Sequence, residues 1–246
     1  MRMILAPFAI SVLALTAGAS LATAADRFTV QEATLLDGGK TSEVSTSELR
    51  NALAAKNALL LDTRSRLEYD AGHIPGAINL DSVTASSVQE AARGDMHMAI
   101  ILYCNGPFCQ ASRRAADALT SAGFSNVRRY QLGIPVWRAL GGPVAVGESG
   151  VRRVHGKDAT AVFIDLRSNS DFQRSTMRDA INAPADSVVS GKVKLKLPED
   201  DFNRRIILLG ESAEQARQVA DFFGSRPWHN VSYFKGDIRS LLVSQD

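Results

Sequence analysis

The chain has 246 residues, 45% of them hydrophobic and 22% charged, with 18 Gly, 8 Pro and 2 Cys, which is ordinary globular composition. Two cysteines exclude a disulfide-rich scaffold and are too few to ligate a structural zinc or an iron–sulfur cluster. With 28 basic against 26 acidic residues and a formal net charge of +2, the balance argues for neither a nucleic-acid surface nor a polybasic membrane patch.

Met1-Arg2-Met3 leads an uncharged apolar run from Ile4 to Ala22, broken by Pro7 and Gly18 and closed by Ala22-Thr23-Ala24. A short basic start, an apolar stretch and a small-x-small end describe a secretory signal peptide over residues 1–24. A run of about 20 apolar residues can also span a bilayer, but its richness in Ala, Ser and Thr and its cleavage-like end favour removal. The expectation is an exported protein, periplasmic if the source is Gram-negative, that keeps no stable membrane span after cleavage. In such an oxidising compartment a pair of thiols can be found as a disulfide.

Ser45-x-x-Glu48 is a capping box that opens a helix through about Ala55. Ala58 to Asp62 reads as a buried strand, Ser65 to Ala71 as a short helix and Ala77 to Leu80 as a second strand. Ala99 to Tyr103 is the most apolar strand, predicted to be central, and Gln110 to Ala122 is helix-like. Gly141-Gly142-Pro143, with the polar segment Gly147 to Asp158, reads as a linker. Beyond it, Ala161 to Asp165, Ala180 to Ala183 and Arg205 to Leu209 read as strands, and Ala213 to Phe223 as a helix. Short apolar runs alternating with amphipathic segments are the pattern of a parallel sheet covered by helices, an α/β fold.

The chain repeats itself. Asp62-Thr63-Arg64-Ser65 matches Asp165-Leu166-Arg167-Ser168 at an offset of 103, and Ala77-Ile78-Asn79 matches Ala180-Ile181-Asn182 at the same offset. Tyr69 with Phe172 and Gly133 with Gly236 keep it too. A single offset across separated places marks two related domains, assigned to residues 25–146 and 147–246.

The segment Cys104-Asn105-Gly106-Pro107-Phe108-Cys109-Gln110 follows the apolar strand and precedes a helix containing Arg113 and Arg114. The carboxyl end of a strand is where ligands bind in open α/β sheets. Loop N–H groups and the unpaired N–H groups of the helix start converge there. They would lower the Cys104 pKa below the free value of about 8.5 and cradle an anionic substrate.

Leu59-Leu60-Leu61-Asp62-Thr63-Arg64, then Gly72-His73-Ile74-Pro75-Gly76-Ala77-Ile78-Asn79, then Gly133-Ile134-Pro135-Val136-Trp137-Arg138-Ala139-Leu140-Gly141-Gly142-Pro143-Val144 resemble the signatures of the rhodanese-homology family, with Cys104 between them. The first half resembles the family almost throughout. The second does so weakly, through Asp165, Arg167 and Ala180 to Asn182. The resemblance implies two rhodanese-like domains, each a mainly parallel sheet flanked by helices. It also implies a sulfurtransferase in which Cys104 takes the outer sulfur of a small anionic donor such as thiosulfate, becomes a persulfide, and passes that sulfur to a small-molecule or protein thiol or to cyanide. It implies no metal and no organic cofactor.

Two departures from the family pattern bear on this. Where members commonly carry a basic residue five positions after the nucleophile, this chain has Cys109, and the arginine of related Cys-x5-Arg phosphatases is replaced by Gln110. Phosphatase activity is therefore not expected, and Arg113 and Arg114 are left either to supply charge or to form a solvated helix face. Cys109 is either a redox partner that closes a disulfide with Cys104 or a small buried residue packing the loop against Phe108. The alternatives to transfer are thus a non-catalytic binding module and a thiol–disulfide protein using both cysteines.

Other conspicuous residues read as structural. Asp62 and Arg64 are expected to organise a strand end, because Asp165 and Arg167 persist in a half that has lost the cysteine. His73 is expected to be turn-bonded, Trp137 to pack, and Tyr103 to wall the site. His97, His155 and His229 have no ligand-like spacing. In the second half Gly210 stands where Cys104 stands in the first, so that half cannot form a persulfide and reads as an inactive copy.

Overall fold

A computed structural model of the chain describes residues 41–242, except 81, 82, 193, 194, 196 and 198; the segment 1–24 lies outside the described residues. In chain order the elements are α1 (Thr46–Ala55), β1 (Ala58–Asp62), α2 (Arg66–Ala71), β2 (Ile78–Asn79), α3 (Ala85–Ala91), β3 (Ala99–Tyr103), α4 (Ala111–Ser121), β4 (Val127–Tyr130), α5 (Gly133–Ala139) and β5 (Val144–Val146). They continue with α6 (Glu148–Lys157), β6 (Val162–Asp165), α7 (Asn169–Arg174), β7 (Ile181–Asn182), α8 (Ala185–Val189), β8 (Ile206–Leu209), α9 (Ala213–Phe223), β9 (Val231–Phe234) and α10 (Ile238–Leu242).

The strands form two sheets, ordered β2-β1-β3-β4 and β5-β9-β8-β6-β7, parallel at every pairing. Helices cover both, which is why β3 and β8 read as unbroken apolar runs: a strand buried on two faces has no polar side to alternate. A parallel bridge between Glu43 and Arg129 adds one more position beside β4. The first sheet therefore repeats the order of the second, with the segment around Glu43 where β5 stands.

The capping box at Ser45 is formed in full, with the Glu48 carboxylate accepting from the Ser45 N–H at 2.7 Å. That bond, with Arg128 beside it, holds the Glu48 carboxyl down to about 2. Two parts of the sequence reading change. The polar segment taken as a linker is helical, because Glu148 to Lys157 turns an apolar edge, Val151 and Val154, inward. β5, drawn with the first half by a boundary after residue 146, pairs in register with β9 of the second sheet.

β5 in fact serves both halves. Val144 is packed in a core of the first domain with Leu49, Tyr69 and Trp137, while Ala145 and Val146 belong to the two cores of the second. Ala145 also exchanges backbone hydrogen bonds with His73, each 2.9 Å. Alongside, α6 packs on α2: Ser149 donates to the Asp70 carboxylate at 3.0 Å and Arg153 to the Leu67 carbonyl at 3.1 Å. No described helix is long and apolar enough to cross a membrane.

Candidate active site

The site is built on the carboxyl ends of β1, β3 and β4, which the parallel register brings level: Asp62 lies opposite Tyr103, and Tyr103 opposite Tyr130. The residues just past those ends, Thr63, Cys104 and Gln131, therefore share one edge of the sheet. Cys104 is buried, 3% exposed, at the start of the loop. The chain then turns tightly, with Gly106 in the left-handed region and the Cys109 N–H donating to the Gly106 carbonyl at 3.0 Å.

That turn folds residue 109 back over residue 104, and the two are joined by a disulfide with their Cα atoms 6.1 Å apart, within the span a disulfide requires. Phe108 is 81% exposed, so Cys109 is not the residue that packs the loop against it. Neither cysteine titrates in the disulfide, so the expectation drawn from the sequence for the Cys104 thiol concerns only the reduced chain.

The sequence reading missed the residues that hold the loop. The Gln131 amide donates to the carbonyls of Pro107 at 2.8 Å and Cys109 at 3.2 Å. Its own oxygen accepts from buried Arg129 at 2.7 Å. Gln131 could have been picked out by its place directly after the carboxyl end of a parallel strand, the position that also marks Cys104. Asn105 donates to Glu68 at 2.6 Å, and with Ser65 this holds the Glu68 carboxyl below its ordinary range. The loop rim thus carries a carboxylate. Gly133 presses on the loop from α5: a Cβ there would meet the Cys104 carbonyl and the Gly106 backbone.

Of the residues proposed to supply charge, Arg113 is half-buried and donates to the Gln110 side chain at 3.3 Å, and Arg114 is exposed. α4 has no side-chain cap at Gln110, so its first-turn N–H groups remain available to an anion. Ser112 adds a buried hydroxyl without a hydrogen-bond partner.

Asp62, Arg64 and His73 form a support behind the site. Asp62 is fully buried and accepts from the Arg64 backbone N–H at 3.0 Å, from its guanidinium at 2.9 and 2.5 Å, and from the Tyr103 hydroxyl at 2.6 Å. Arg64 continues to the Gly72 carbonyl and Tyr103 accepts from the Ile74 N–H, so one network ties two strand ends to the Gly72–Ile74 turn. Tyr103 is thereby a core residue and not a wall of the site; burial and Asp62 raise its hydroxyl pKa well above the ordinary value. His73 stacks on Tyr69 with ring centroids 3.7 Å apart and bonds the Tyr69 carbonyl through Nδ1, and burial depresses its pKa to about 4. Trp137 is buried and donates to the Pro143 carbonyl at 2.8 Å.

The second domain reproduces the support without the cysteine. Arg167 bonds Asp165 and the Ser175 carbonyl as Arg64 bonds Asp62 and Gly72, and the Thr176 hydroxyl takes the place of Tyr103 on the aspartate at 2.8 Å. The Ile238 N–H donates to the Gly210 carbonyl as that of Ile134 does to Cys104, so Gly210 occupies the place that matches Cys104, with no side chain. Among the described residues no three His, Cys, Asp or Glu side chains gather as a metal site.

Comparison with known proteins matches the rhodanese-like domain family to residues 45–140 and 151–242. Thiosulfate sulfurtransferase GlpE of Pseudomonas fluorescens is 35% identical over 91 residues, 37% of this chain and 80% of GlpE. The HTH-type transcriptional regulator Rv0324 of Mycobacterium tuberculosis is 34% identical over 110 residues, 45% of this chain and 47% of the regulator. Among solved structures, a thiosulfate sulfurtransferase from Pseudomonas aeruginosa is similar over 78% of this chain and 40% of its own, at 20% identity and a TM-score of 0.36. The chain thus spans less than half the length of these last two proteins.

Proposed function

Because the chain belongs to the rhodanese-like domain family, in tandem form, we propose that its first domain is a sulfurtransferase whose nucleophile is Cys104. In the reduced chain the Cys104 thiolate attacks the outer sulfur of a small anionic donor such as thiosulfate, sulfite leaves with the electron pair of the broken S–S bond, and Cys104 carries the persulfide. A thiophilic acceptor then removes the sulfur. The carrying observation is the position of Cys104: buried at the carboxyl end of β3 and heading a tight loop that is backed by Gly133 and runs into the uncapped start of α4. Oriented N–H groups there favour a thiolate, an anionic donor and the persulfide alike. The second domain, with Gly210 at the matching place, completes and braces the fold. The N-terminal run supports export, which N-terminal sequencing of the protein from the native host tests.

Intact mass of the reduced chain after incubation with thiosulfate tests the transfer step. A gain of one sulfur atom in Cys109→Ser that disappears in Cys104→Ser is the expected result. No gain in Cys109→Ser, with no sulfite released, overturns the reading for this donor.

A further inference from the structure

We propose that Cys109 is a resolving thiol, which releases the sulfur carried by Cys104 as hydrosulfide and makes the protein a thiosulfate reductase driven by a dithiol. The proposal rests on the sulfurtransferase reading above and extends it to the fate of the sulfur.

Three observations carry it. The Gly106–Cys109 turn brings residue 109 within bonding reach of Cys104 in the folded chain. The backbone of Cys109 is also fixed there, since Gln131 holds its carbonyl and buried Arg129 holds Gln131. A thiol set in this way attacks a neighbouring sulfur intramolecularly, with the effective-concentration advantage of a preset geometry. Finally, position 109 carries a thiol where the family resemblance leads one to expect a basic residue, and the rim carries the Glu68 carboxylate. A persulfide held by the loop N–H groups thus has a thiol beside it in place of a cation.

The Cys109 thiolate attacks Sγ of Cys104, its own proton having gone to solvent. The bond between Sγ and the outer sulfur breaks, and hydrosulfide leaves with that electron pair and the persulfide's proton. The outer sulfur is reduced to sulfide while the two cysteine sulfurs are oxidised to the Cys104–Cys109 disulfide. A dithiol reductant then opens the disulfide by exchange, leaving as a cyclic disulfide, and returns both thiols. Net, thiosulfate and the dithiol give sulfite, sulfide and the oxidised dithiol. Phe108, exposed between the cysteines, offers an apolar contact to a reducing protein.

The test is a single turnover of the full chain, reduced, freed of reductant and mixed anaerobically with thiosulfate, because external thiols release sulfide from any persulfide. Wild type is expected to release sulfite and sulfide in equal amounts and to end lighter by two hydrogens, as the disulfide. Cys109→Ser and Cys109→Ala are expected to release sulfite, retain one added sulfur and lose sulfide release. A wild-type chain that instead keeps the added sulfur and a free Cys109 thiol overturns the resolving role while leaving transfer intact. Sulfite release absent from wild type and both variants is the separate failure of transfer itself, and it overturns this proposal with it.

Discussion

The fold opposes ionisation of His73: it is 3% exposed, and its pKa is depressed from 6.5 to about 4 by burial. The folded chain therefore binds this proton less readily than the unfolded chain. The resulting stability is complete above pH 6.5 and is lost as pH falls towards 4, at about 1.4 kcal/mol per pH unit within that window. We expect the unfolding free energy of wild type to drop between pH 7 and pH 4.5 by about 2 kcal/mol more than that of His73→Gln. Denaturant titrations at the two pH values check this, and equal losses would remove His73 from the account. His73, expected from the sequence to be turn-bonded, bonds the Tyr69 carbonyl four residues back. Tyr103 was harder to read: alternation says which way a strand residue points, and not that its hydroxyl meets a buried carboxylate from the neighbouring strand.

At the scale of elements, the loop between β3 and α4 is shaped by what presses on it. Gly133 has φ +64°, and a Cβ there would collide with backbone on the far side of the loop, including Gly106 Cα at 2.8 Å. Gly191 has a similar φ of +72° with nothing within 4 Å, so it isolates the backbone cost. Gly191→Ala is expected to cost about 1 kcal/mol. Gly133→Ala should cost about 1–3 kcal/mol beyond that and slow sulfur loading by about tenfold or more through displacement of Cys104. Loading rates by mass, read in the Cys109→Ser background, and urea denaturation measure both effects. Matching behaviour of the two glycine variants would mean that crowding at the loop is unimportant. The repeat of Gly133 at Gly236 was visible in the sequence, but its partner was not, because contact across a loop has no periodic signature.

The whole molecule is two copies of one fold that share a strand. β5 gives Val144 to one domain and Ala145 and Val146 to the other, so neither domain can lose its structure without exposing apolar surface and unpaired backbone in its neighbour. Unfolding should accordingly be one cooperative event. The chain has two tryptophans, Trp137 in the first domain's core and Trp228 packed against the second's. Urea curves followed by fluorescence in Trp137→Phe and Trp228→Phe should each coincide with the far-ultraviolet circular dichroism curve of the same variant. Separate fluorescence and dichroism midpoints would show that the domains unfold independently.

By itself the sequence determined the fold class, the duplication and the strand that presents Cys104. These follow from local periodicity and internal repetition, which leave their mark on consecutive residues. It also showed that the second half has no cysteine, since only two exist and both lie in one loop. Only the tertiary structure decided that Cys109 meets Cys104, that Gln131 and Gly133 set the loop, and that β5 belongs to both domains. Each of these depends on where distant segments arrive in space: a turn closed from outside, a residue pressing from another helix, a sheet edge completed by a strand from the preceding domain.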